Sequence, residues 1–163
     1  MENRCETLKE AMRNWASGVA VITSVCGSAR AGTTISSFTS LSLDPPLILV
    51  NLASENPTQT MIKQSGFFGI TLLSEHQQSI SDLFAGFNKV IKNRFDEVKT
   101  LTLASGVPFI EGGLAYLDCR IYEHYELPKS VVIVGEVLSA RLGENGLPLV
   151  YLNRSYSKLT SQR

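Results

Sequence analysis

The chain has 163 residues, 44% hydrophobic and 18% charged, with 15 Lys+Arg against 15 Asp+Glu. That composition suits one domain with a real core and excludes a disordered chain. The balanced charge gives no general pull toward nucleic acid or an anionic membrane.

Leu8, Met12 and Trp15 fall at i, i+4 and i+7, which predicts a first helix from Cys5 to Trp15 that ends at Ser17-Gly18. Val19–Val25 is rich in β-branched residues and reads as a strand, and Cys26-Gly27-Ser28 as a turn. Thr33–Ser42 is crowded with hydroxyls, which favour extended backbone over helix. Asp44-Pro45-Pro46 marks a corner, since proline cannot donate to a ladder, and Leu47–Leu52 reads as a buried strand. Asn56 and Pro57 suit the N-cap and first position of a helix reaching about Gln64, stopped by Ser65-Gly66. Phe67–Leu73 is the next strand. Ser74-x-x-Gln77 has the form of a capping box that opens a helix carrying Ile80, Leu83 and Phe84.

Residues 85–109 give no clear periodicity, apart from the basic Lys89, Lys92 and Arg94. Leu114–Tyr122 alternates, with Ala115, Leu117, Cys119 and Ile121 on one face and Tyr116, Asp118, Arg120 and Tyr122 on the other. This predicts one core face and one polar or interface face. Val131–Leu138 is a strand in which Gly135 marks a bulge or close approach, and Asn145-Gly146 suggests a hairpin turn before Leu149–Leu152. About six strands and three helices without a βαβ rhythm favour an antiparallel barrel with helical excursions.

Several chemistries lack their residues. There is no G-x-G-x-x-G after a strand, Walker A loop, H-E-x-x-H or G-x-S-x-G. His76 and His124 have no ligand-like spacing. Cys5, Cys26 and Cys119 form no C-x-x-C pair, which argues against a disulfide scaffold or zinc site and for a reducing compartment; Cys119 reads as a core residue. Met1–Lys9 lacks a signal-peptide centre, and runs such as Leu47–Ala53 and Val131–Val134 are too short to cross a bilayer. Cytoplasmic residence is the expectation.

Two features are open to a functional reading. The hydroxyls of Thr33, Thr34, Ser36, Ser37, Thr39, Ser40 and Ser42 are either the polar outer face of an ordinary strand or a row of partners for a planar polar ligand such as a flavin edge. The Asn56-Pro57-Thr58 helix start is either a plain cap or an anion site suited to a mononucleotide phosphate.

Together these stretches resemble the flavin reductase-like, FMN-binding split-barrel family, which includes reductase components of two-component flavin monooxygenases. The resemblance rests on Trp15-Ala16-Ser17-Gly18-Val19-Ala20-Val21-Ile22-Thr23, Gly32–Leu47, Ser54–Thr58, Ser65–Ile70, Arg94-Phe95, Gly113–Cys119 and Val134–Val137, in that order. It implies a mainly β, antiparallel Greek-key split barrel spanning residues 1–163 as one domain, and a homodimer. The implied ligands are FMN (sometimes FAD) with NADH or NADPH as donor, and the implied partner is a monooxygenase. Thr34, Ser36, Ser37 and Phe38 would line the isoalloxazine, Asn56 and Thr58 would meet the phosphate, and Arg94 would lie near the flavin or incoming nucleotide. No catalytic or metal-binding residue is implied. Ser130 stands where many family reductases carry histidine, with Lys129 beside it. Two other readings stay open: an FMN-binding electron-transfer flavoprotein without reductase activity, and an interaction barrel that has lost flavin.

Overall fold

The computed structural model describes residues 3–87, 90–91, 93 and 94–159; Lys89 and Lys92 lie outside them. The elements, in chain order, are α1 (Arg4–Met12), β1 (Ser17–Gly18), β2 (Ala20–Cys26), β3 (Ala29–Ile35), β4 (Phe38–Leu43), β5 (Pro46–Ala53), α2 (Pro57–Ser65), β6 (Phe67–Leu72) and α3 (Gln78–Ala85). A 3₁₀ turn, Arg94–Glu97, follows, then β7 (Thr100–Thr102), β8 (Pro108–Ile110), β9 (Ala115–Glu126), β10 (Ser130–Leu142), β11 (Val150–Leu152) and β12 (Ser155–Ser157).

Seven strands form one antiparallel sheet in the order β3-β2-β6-β9-β10-β5-β4. The sheet does not close, so β3 and β4 are its two edges, although they are consecutive in the chain. This is the expected split barrel. Its interior is filled by Ile22, Val50, Phe68, Ile70, Cys119 and Ile133, with Ile62 of α2 packed among them. A second apolar cluster, including Val21, Leu73, Phe84, Phe95 and Leu149, ties α3 and the 3₁₀ turn to the outer face of the sheet.

Local sequence explains the elements that hold the site. Asn56 caps α2, its Oδ1 accepting from the Thr58 N–H at 2.9 Å, and Pro57 takes the first helical position, as expected. Gly66, at φ 78°, ends the helix with its N–H donating to the Ile62 carbonyl. Asp44-Pro45 is a cis peptide in the tight connection from β4 to β5. At Gly135 the register shifts against β9, and the Phe68 ring lies where a side chain would stand. Both readings of that glycine hold.

Other expectations need correction. The first helix is shorter than predicted, and none of its residues is buried; Leu8, Met12 and Trp15 are exposed. Periodicity marked an apolar face but not what covers it. Ser17-Gly18 does more than end the helix, since it pairs with Tyr151 and Val150. The hydroxyl-rich stretch is two strands broken at Ser36-Ser37. Ser74 is not a helix cap: the Gln77 side chain accepts from the Ser74 N–H at 3.1 Å within a turn, and α3 begins one residue later. The Asn145-Gly146 stretch is a longer connection, because β10 pairs with β5 and β9, not β11.

The alternation in β9 also misleads. It puts Tyr116 and Asp118 on the polar or interface face, yet both are buried within the chain. The β7–β8 hairpin, from the stretch without periodicity, covers them. Phe109 packs edge-on against Tyr116 with ring centroids 5.9 Å apart, and Asp118 Oδ2 accepts from the Ser105 N–H at 2.8 Å. The Thr23 hydroxyl donates to the Pro108 carbonyl, and Thr71 Oγ1 accepts from the Ile110 N–H. Buried hydroxyls on β2 and β6 thus satisfy the hairpin backbone.

Candidate functional site

The start of α2 and the edge strand β3 face a polar cleft of about 440 Å³. Asn56, Thr58, Arg30, Asn93, Arg94 and Phe95 line it. Asn56 and Thr58, expected at a phosphate, are therefore brought together with Arg94, expected near the flavin or incoming nucleotide. Arg94 comes from the 3₁₀ turn, where Asn93 Oδ1 accepts from the Phe95 N–H at 3.3 Å. That turn buries Phe95 and leaves Arg94 on the cleft side. Arg94 Nη1 donates to the Phe84 carbonyl at 3.0 Å and the Gly32 carbonyl at 3.2 Å, which joins α3 to β3.

Sequence reasoning missed Arg30. It lies on β3, with its guanidinium 4.9 Å from the Phe95 ring centroid and 3.7 Å from the Asp96 carboxylate. A lone arginine at a strand start carries no signal until the 3₁₀ turn is seen folding over it. The two arginines give the cleft positive charge beside the positive end of the α2 dipole.

The helix start offers fewer backbone donors than its sequence suggested. Pro57 has no N–H, Thr58 N–H is taken by Asn56, and Gln59 N–H bonds the Asn56 carbonyl at 3.1 Å. An anion here would be held by side chains and the dipole. Ser54 Oγ, before α2, is buried without a hydrogen bond, but Ser54 is not among the residues lining this cleft. The donor set of hydroxyls, a carboxamide and guanidiniums suits a phosphate monoester.

The residues expected at a flavin ring lie along the same edge but in two neighbouring clefts. Thr34 and Ser36 line one of about 180 Å³ with Ser81, Phe87, Tyr151 and Tyr156. Ser36, Ser37 and Phe38 line another of about 500 Å³ with Met12, Trp15 and Tyr151. Ser36 and Tyr151 belong to both. Ser36 and Ser37 are exposed and Phe38 is half-buried. Two hydroxyls already donate within the protein: Thr34 Oγ1 to the Ser81 carbonyl at 2.6 Å, and Ser37 Oγ to the Asn51 carbonyl at 2.7 Å. Each keeps lone pairs to accept from a ligand. Tyr156 donates its proton to Asp82 Oδ1 at 3.0 Å and accepts from the Ser81 hydroxyl at 2.9 Å, and burial pushes its phenol pKa upward.

Other candidate groups stand apart. Burial pushes the Cys119 thiol far up, so it is no nucleophile. Ser130, in place of the family's histidine, pairs with Ala53 at the start of β10, and the Lys129 carbonyl accepts from the Ser54 N–H at 3.2 Å. Among the described residues no cluster of three or more His, Cys, Asp and Glu is placed to hold a metal.

Residues 12–160 match the model of the flavin reductase like domain. The reductase component of 4-hydroxyphenylacetate 3-monooxygenase from Thermus thermophilus is 35% identical, over 94% of this chain and 96% of the relative. An NADH-dependent flavin reductase from Rhodococcus is 33% identical, over 93% of this chain and 85% of the relative. The structure of a Streptomyces globisporus NADH:FAD oxidoreductase in complex with NAD and FAD fragments superposes with a TM-score of 0.88 at 28% identity, covering 98% of this chain and 94% of that one.

Proposed function

Because this chain belongs to the flavin reductase like domain family, we propose how its own residues serve the activity: it is an NAD(P)H:flavin oxidoreductase that binds FMN along the β3 edge. The observation that carries the site is the meeting of Asn56, Thr58, Arg30 and Arg94 in one polar cleft at the head of α2. There the two guanidiniums and the helix dipole hold the FMN phosphate. From that anchor the isoalloxazine lies along Thr34, Ser36, Ser37 and Phe38. Flavin, when bound, supplies the ring that accepts hydride from a nicotinamide.

The protein's part is positioning. Neither histidine lies among the residues lining these clefts, and hydride transfer requires no protein acid at the donor carbon. The edge strand fixes the plane of one ring, and the wider cleft beside Ser36–Phe38 leaves room for a second against it.

We propose further that the single domain works as a homodimer and passes reduced flavin to an oxygenase. The exposed Tyr122, Tyr125 and Leu127 at the end of the β9–β10 hairpin support an interface. The name of the Thermus relative, a reductase component, supports the partner. Three free cysteines suit the cytoplasm.

The test is to mix the protein with NADH or NADPH and free FMN and follow nicotinamide absorbance. Oxidation well above the uncatalysed rate is expected. A protein that binds FMN but leaves both nicotinamides unchanged would be the electron-transfer flavoprotein instead.

A further inference from the structure

A cleft of about 240 Å³ lies between the end of α1 and the β11–β12 hairpin, lined by Lys9, Arg13, Trp15, Tyr151 and Arg154 among others. Three cations thus surround two aromatic rings. Lys9 is engaged, its Nζ 2.6 Å from the Glu6 carboxylate. The two arginines are free: among the described residues neither guanidinium has a carboxylate within 4 Å, and Arg13 Nε is buried without a hydrogen-bond partner. A buried guanidinium N–H without a partner is costly until an acceptor reaches it.

The hairpin is built to present the other arginine. Asn153 and Arg154 both have positive φ, 50° and 63°. The second central position of such a turn is where glycine is cheapest and a long side chain is disfavoured. The Asn153 N–H donates to the Arg13 carbonyl at 3.0 Å, which fixes the turn against the end of α1. The strained backbone therefore holds Arg154 beside Arg13.

Met12, Trp15 and Tyr151 also line the cleft at Ser36–Phe38. The cationic cleft is thus continuous with the place assigned to the stacked rings. Resting on the reductase reading, we propose that Arg13 and Arg154 bind the pyrophosphate–adenosine end of the nicotinamide dinucleotide, with the adenine against Trp15 or Tyr151. Guanidiniums match phosphate oxygens in bidentate geometry. An indole 70% exposed offers a free stacking face. FMN lacks this end altogether, so the cleft separates the two ligands. FAD carries the same adenosine pyrophosphate and is the one competing source.

The probes are ADP-ribose, which lacks the nicotinamide, and the two arginine variants R13Q and R154G in the FMN-loaded protein. Calorimetry with ADP-ribose needs no turnover and reads the cleft even if wild type oxidises neither dinucleotide. Each variant is expected to weaken ADP-ribose binding and raise KM for NADH and NADPH by about tenfold, leaving kcat and FMN affinity near wild type. R154G also relieves the positive φ, so its Tm is expected to rise by about 2 °C. Lost binding then cannot be ascribed to unfolding. ADP-ribose affinity within twofold of wild type in both variants overturns the proposal. So does an unchanged KM for NADH and NADPH with a tenfold loss in FAD affinity, because the cleft would then hold the flavin's adenylate.

Discussion

Arg94 joins the polar cleft proposed for the cofactor to the scaffold, and replacing it with glutamine separates the two roles. Nη1 donates to two carbonyls, of Phe84 at 3.0 Å and Gly32 at 3.2 Å, both on buried residues. A hydrogen bond from a charged donor is worth about 1.5–3 kcal/mol at most. Arg94 is half-buried and one bond is long, so the pair is discounted to about 2 kcal/mol in total. The same residue lines the cleft proposed for the phosphate, where its loss is expected to weaken FMN about tenfold. Urea unfolding with and without FMN reads both effects. At a concentration 100 times its Kd, FMN stabilises wild type by about 2.7 kcal/mol, and the same concentration stabilises Arg94→Gln by about 1.4 kcal/mol. Arg94→Lys keeps the charge but not the fork, and is expected to recover part of the FMN increment. A variant about 2 kcal/mol less stable with an undiminished FMN increment would make Arg94 a strut only. Unchanged stability would refute the two-carbonyl account.

Gly135→Ala pushes a methyl into the Phe68 ring and is expected to destabilise by about 1–3 kcal/mol; combining it with Phe68→Leu should recover part of the loss, as read by denaturant midpoints. Tyr156 has its pKa raised above the ordinary phenol value by burial. The folded state thus holds this proton after the unfolded state has lost it, and the stabilisation it gives is complete below pH about 10 and falls as pH rises through the folded value. Tyr156→Phe should flatten that alkaline decline in thermal melts and cost about 1 kcal/mol at neutral pH. Cys5 and Cys26 are exposed and Cys119 is buried, so a thiol reagent should label two sites in the native protein and the third only on unfolding.

The barrel was readable because its strands are bounded by strong punctuation: Gly27, Pro45-Pro46, Gly66 and the β-branched runs between them. The helix start at Asn56 was readable because cap chemistry is local. The polar cleft was only half readable. Asn56, Thr58 and Arg94 could be named from their stretches, but Arg30 joins them through the Phe95 ring, a contact made across distant parts of the chain. Asp118 was misplaced for the same reason, because alternation shows two faces and not what lies over each. The hairpin that covers it follows residues without periodicity. Arg13 and Arg154 were invisible as a pair, since the β1–β11 pairing and the hydrogen bond from Asn153 bring them together from distant parts of the sequence.

That bond has a consequence for synthesis. A ribosome makes the chain from its N-terminus, and the segments of a domain condense as they emerge. The seven-stranded sheet has all its strands once residue 142 is available. The cleft between α1 and the β11–β12 hairpin does not exist until residues 150–157 have joined it. A chain without residues 150–157 would keep the β3 edge but lack the arginine pair together with Tyr151 and Tyr156 of the neighbouring clefts.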